Sequence, residues 1–164
     1  MKKAVIVLGA ALLAAGVANA HDYKAGSIIV GHPWARPTPP GAKAAAAYFT
    51  LQNTGSAPDT LMSVSSPVDE SAQLHQTIRD GEVMKMREVK GGVAIPPGAT
   101  VKFEPGGYHV MLLQPKQQFE EGQFFPLTLT FAKAGTVNVE VKVEKQPGER
   151  PVAGASHGGM EHMH

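Results

Sequence analysis

Between residues 127 and 143 apolar and polar positions alternate one for one. Leu127, Leu129 and Phe131 take turns with Thr128 and Thr130, and Val137, Val139, Val141 and Val143 take turns with Asn138, Glu140 and Lys142. Successive side chains of a strand point to opposite faces, so a period of two means one buried face and one wet face. Lys133-Ala134-Gly135 between the two runs is a short loop with a glycine, which predicts a hairpin. Further strands are predicted over 28–34, 46–53, 60–66, 72–79, 83–89, 101–104 and 108–114. Breaker-rich segments such as Pro37-Thr38-Pro39-Pro40-Gly41, Pro96-Pro97-Gly98 and Pro105-Gly106-Gly107 separate them. Many short strands at this spacing, with no helical period among them, predict an all-β, antiparallel Greek-key sandwich or barrel.

The two ends of the chain depart from this pattern. Lys2 and Lys3 precede a small apolar stretch from Ala4 to Val17, and Ala18-Asn19-Ala20 supplies small residues before a cut. That is the three-part pattern of a secretory signal peptide over 1–20, and the apolar run is short for a membrane span. From Gln146 a breaker-rich linker leads into a stretch without apolar period, so 146–164 is expected to be a flexible tail. The domain is therefore expected over 21–145, in an exported, periplasmic protein.

Composition narrows the chemistry. Setting aside Lys2 and Lys3 from 15 basic residues leaves 13 against 14 acidic ones, a balance unlike a nucleic-acid surface or a polybasic membrane anchor. There is no cysteine. Thiols are drawn into disulfides in an oxidising compartment, so a soft-metal site there is better served by methionine. The missing thiolate also rules out a blue-copper electron carrier.

The residues that carry chemistry lie between 71 and 113. Asp80-Gly81 is a strong two-residue hairpin signal. With those two residues as the loop, Arg79 faces Glu82 and His75 falls directly opposite Met86, with Met84 on the same face. His109 and Met111, two apart in another strand, also share a face. Two imidazoles and two thioethers suit Cu(I), whereas zinc favours thiolate, imidazole and carboxylate. His75, Met86, His109 and Met111 are accordingly the candidate metal ligands. Met84 is read as core filling, with a supplementary role at the metal as the alternative.

These residues also carry a resemblance. His75, ten intervening residues, Met86, then His109-Val110-Met111 resembles the ligand motif of the periplasmic PCuAC copper chaperones. Gly31-His32-Pro33-Trp34-Ala35-Arg36, Met84-Lys85-Met86-Arg87 and Pro105-Gly106-Gly107-Tyr108 extend it over nearly the whole of 21–143. The resemblance implies a cupredoxin-like fold. It also implies a non-enzymatic Cu(I) carrier serving cytochrome c oxidase assembly, its partner being the copper-site subunit or another copper chaperone. Two departures stand out. The Met86 to His109 gap holds 22 residues where the family has 21, and Gln76 stands where some members carry a methionine. Sequestration of copper for resistance uses the same ligands and stays open as the alternative.

The tail holds His157, Met160, His162, Met163 and His164 within eight residues. Short His-rich tracts bind metals, and this one is read as an auxiliary site suited to Cu(II). His21, the first residue after the expected cut, offers a terminal amine and an imidazole, which chelate Cu(II) in copper monooxygenases; that enzyme reading is the minor alternative. His32 is expected to be structural, and Trp34 and Met62 to pack in the core. The carrier is expected to be a monomer, without stable membrane insertion or nucleic-acid binding, with metal-bridged oligomers open to it.

Overall fold

The computed structural model describes residues 22–145. The signal stretch, His21 and the five His and Met residues of the tail lie outside them.

The described chain is all strand and turn. In order the strands are β1 Asp22–Ala25, β2 Ile28–Ala35, β3 Ala44–Asn53, β4 Asp59–Ser65, β5 Ser71–Asp80, β6 Val83–Glu88, β7 Val93–Ile95, β8 Thr100–Lys102, β9 Tyr108–Leu113, β10 Phe124–Phe131 and β11 Gly135–Val143. One continuous ladder runs β6-β5-β9-β3-β2-β11-β10-β4-β7, with β1 added on β2 and β8 on β3. Contacts of β4 with β5 and of β7 with β3 fold this ladder over on itself. The result is the expected β-sandwich, with the crossed neighbours β5–β9 and β3–β9 that a Greek-key path produces. It is not wholly antiparallel, because Lys142 and Val143 of β11 pair with Trp34 and Ala35 of β2 in parallel. Among the described residues no helix is long and apolar enough to cross a membrane.

The alternation in β10 and β11 is realised as read. Leu127, Leu129, Phe131, Val139, Val141 and Val143 are buried, and Leu127 pairs with Val139 and Leu129 with Val137. Between the layers Phe49 stacks on Phe103 at 4.5 Å and Phe119 on Phe125 at 4.6 Å, contacts that add to the gain from burying each ring. Trp34 is in this core as expected, its ring 4.7 Å from Tyr48. Met62 is not. It is 48% exposed because it sits on the outer face of β4, between buried Leu61 and the next inward residue Val64. Two strands escaped the pattern: β1 has only four residues and β7 three, too short for a period to declare itself.

His32 has a left-handed backbone, φ 44°, where β2 slips its register against β3 between Gly31 and Trp34. Histidine is among the residues that tolerate this region. Its Nε2 lies 2.6 Å from Glu144 Oε1, a bond joining β2 to the end of β11. That is the structural role expected of it.

Asp69 is buried with one carboxylate oxygen, Oδ2, lacking any partner. Desolvation holds its pKa above the usual carboxylate range, against the opposing pull of Lys116. A raised carboxyl favours the protonated native state, so this contribution to stability is largest at acid pH and is lost as pH rises through the folded pKa. Asp69→Asn is therefore expected to raise stability at pH 7 by about 1 kcal/mol. Urea unfolding at pH 7 and pH 4 checks this, since the gain should shrink at the lower pH.

Candidate metal centre

The Asp80-Gly81 turn forms the predicted hairpin with a different register. Asp80 pairs with Val83, so the central residues of the turn are Gly81 and Glu82. A turn with positive φ at both central residues would suit Asp-Gly, but here only Gly81 takes positive φ, at 63°. That is the type II′ preference for glycine at the first central position. Pairing shifts by two residues in consequence. Met86 faces Thr77, Met84 faces Arg79, and His75 faces Glu88. A slip of two leaves every side chain on its own face. His75 and Met86 thus still share a face, but as diagonal neighbours rather than a direct pair, a separation of about 7–8 Å between positions instead of about 5 Å.

The other half of the site is closer than the sequence indicated. β5 runs beside β9, and His75 pairs directly with His109, while Gln73 pairs with Met111. The two imidazole centroids are 5.6 Å apart. Each ring spends one nitrogen on the protein. His75 Nε2 lies 2.8 Å from Gln73 Oε1, and His109 Nδ1 lies 3.3 Å from the Gly107 carbonyl oxygen. The remaining nitrogens, His75 Nδ1 and His109 Nε2, are buried and have no partner. Buried polar atoms are almost always hydrogen-bonded, so two open ring nitrogens on adjacent side chains need a physical reason. Burial depresses the pKa of His109, only partly offset by its bond to Gly107, and His75 nearby depresses it further. A neutral imidazole with a free lone pair is the form that ligates a metal.

Beside this pair runs a groove of about 260 Å³. Its wall includes His109, Met111, Met84 and Met86, with Tyr48 and Arg36 among the other lining residues. His75 does not line the groove; it flanks it through its contact with His109. Met86 and Met84 are 63% and 55% exposed, so Met84 is not core filling. The reason is the position of β6, an outermost strand with every residue exposed on both faces. Among the described residues no three His, Asp or Glu side chains converge to hold a metal. A metal in this groove would complete its shell with thioethers, the soft, uncharged donors that suit Cu(I). Gln73, Thr77 and Tyr48 were not singled out from the sequence. Period two placed Gln73 and Thr77 on the face of His75, but nothing in the sequence gave their distances.

A family model described as "Putative lipoprotein LpqE-like" matches residues 28–143. The protein described as "Putative lipoprotein Lxx21020", from Leifsonia xyli subsp. xyli (strain CTCB07), is 34% identical over 125 residues, spanning 76% of this chain and 74% of its own length. Two solved structures share the fold. The copper-bound PCuAC domain from PmoF2 is 31% identical with a TM-score of 0.65, over 77% of this chain and 99% of that domain. The Cu(I) form of DR1885 from Deinococcus radiodurans is 30% identical with a TM-score of 0.57, over 70% of this chain and 76% of that one.

Proposed function

The chain belongs to the LpqE-like family and shares the PCuAC fold, and from that premise we propose that it is an exported, copper-binding chaperone whose core site takes Cu(I) on His75, His109, Met111 and Met86. The observation that carries this reading is the pair of buried, unpartnered ring nitrogens beside a groove walled by three methionines. Met84, on the same wall, is an adjacent thioether for a shell in which one sulfur exchanges for another. The role is binding and transfer, with no chemical step. Neutral donors leave the charge of the ion uncompensated, which matches a monovalent soft cation better than a divalent hard one.

Delivery to cytochrome c oxidase assembly in the periplasm is the use we assign to this carrier, and the partner is a copper-site subunit or a further copper chaperone. The His and Met residues between 157 and 164 act as an auxiliary site for Cu(II). A strain lacking the protein should show low oxidase activity when copper is scarce; sensitivity to excess copper alone would favour sequestration instead.

The core assignment is tested by titrating Cu(I) against a chromophoric chelator. Met111→Ala should weaken binding by about tenfold, since even residues that only orient a ligand are worth about 10–100-fold. Unchanged affinity in Met111→Ala would remove the core site from the proposal. X-ray absorption of the Cu(I) form should show sulfur scattering that survives removal of residues 146–164.

A further inference from the structure

His75 and His109 are directly paired across β5 and β9, yet they use opposite nitrogens to hold themselves in place. For His109 the partner is a backbone carbonyl, which only accepts. Its neutral ring therefore carries the proton on Nδ1, and Nε2 keeps a lone pair. For His75 the partner is the side chain of Gln73, two residues earlier on the same face of the same strand. We propose that Gln73 is a positioning residue for copper binding: its amide oxygen fixes the His75 ring as the Nε2–H tautomer, so that Nδ1 is the atom His75 presents to the metal.

Three features of the structure carry this. The Nε2···Oε1 separation of 2.8 Å is a well-formed hydrogen bond. His75 Nδ1 is buried without a partner, so the opposite tautomer would strand a buried N–H donor there and set two lone pairs against each other at Nε2. Gln73 also faces Met111 across the two strands, so one residue orients one ligand while standing opposite another. Metal-binding histidines generally give their second nitrogen to an oxygen acceptor that fixes tautomer and ring orientation. Here the acceptor of one ligand is main chain and fixed, and that of the other is a side chain, so only the second is open to substitution. The inference rests on the copper reading above and adds the atom by which His75 binds and the residue that sets it.

Long-range proton–nitrogen correlation spectra of the nitrogen-15 labelled protein test this without any mutation. The metal-free protein should show His75 protonated at Nε2 and His109 at Nδ1. Adding Cu(I) should move the nitrogen resonances of His75 Nδ1 and His109 Nε2. Gln73→Leu should mix the His75 tautomers in the metal-free state and weaken Cu(I) binding by about tenfold. Gln73→Glu, which keeps an oxygen acceptor at the same place, should restore both. Coordination through His75 Nε2, or equal or tighter Cu(I) binding by Gln73→Leu, would overturn the proposal, because the amide would then compete with the metal. If Met111→Ala leaves Cu(I) affinity unchanged, it is the copper reading that falls, and the metal-free tautomers still report on Gln73.

Discussion

His109→Leu is expected to weaken Cu(I) binding by at least about a hundredfold while leaving the metal-free protein as stable as before, or more so. The loss follows from removing a proposed ligand outright, where perturbing a residue that orients a ligand already costs about 10–100-fold. The unchanged or raised stability follows from burial. His109 is 4% exposed, and its Nε2 has no hydrogen-bond partner, so the site keeps a desolvated polar atom that leucine does not have. The Nδ1 bond to the Gly107 carbonyl is lost with the ring, but that oxygen keeps the Thr77 amide as its donor, so no buried partner is stranded and an apolar side chain of similar size is neutral or stabilising. The pH dependence adds a second mark. His109 has a depressed pKa in the folded chain, chiefly from desolvation. Its contribution is complete above the ordinary histidine value of about 6.5 and is lost as pH falls through the folded pKa, because the unfolded chain takes up a proton first. Wild-type protein should therefore lose stability below about pH 6.5 through this residue, and His109→Leu should lack that part of the decline. Thermal unfolding with and without Cu(I), between pH 5 and 8, measures all three effects. A large loss of metal-free stability in His109→Leu would mean that the ring is held for packing and not for binding.

Gly92→Ala is expected to cost about 3 kcal/mol or more of folding stability, although the change is one methyl group near the surface. Gly92 has φ +82°, which L side chains rarely adopt, and a Cβ there would stand 2.6 Å from the carbonyl oxygen of Leu61. That carbonyl is backbone of β4 at the point where Leu61 pairs with Val93, so it has no room to retreat without breaking the ladder. The left-handed conformation alone costs a non-glycine residue about 1–2 kcal/mol, and the contact adds to it. Gly91 is the control: a Cβ there would meet nothing within 4 Å, and its φ is not positive. Gly91→Ala should change stability by less than about 0.5 kcal/mol. Urea unfolding of both variants checks the pair, and similar losses in the two would refute the steric account.

The architecture was legible because its signals are local. Val139, Val141 and Val143 alternate with polar residues, and a one-residue slip would expose all of them, so face assignment was strongly determined. The same rule kept the shared face of His75 and Met86 readable when the hairpin register came out two residues away: a slip of two moves partners along the strand without turning any side chain over. What failed was information that depends on which strand lies beside which. Nothing in the sequence says that β5 neighbours β9, and so the direct pairing of His75 with His109 was invisible, as was the parallel contact of β11 with β2. Met84 and Met62 were misread for a related reason. Their apolar character implied burial, but β6 is an outermost strand and Met62 faces outward from β4. Composition does not report on strand position in a sheet, and exposed methionine beside an open groove is informative because the usual preference for burial has been overridden.

The open edge of β6 has a consequence for kinetics. This strand is hydrogen-bonded to β5 on one side only, and the thioethers of Met84 and Met86 stand in solvent. An ion resting on such sulfurs is approachable by an incoming donor before any outgoing one has left. At the proposed site exchange would then proceed through a crowded shell shared by giver and receiver, with no naked ion released. Under that regime residence time is governed by how often a suitable visitor arrives. Tight retention in isolation and quick hand-over on encounter become compatible properties of one site.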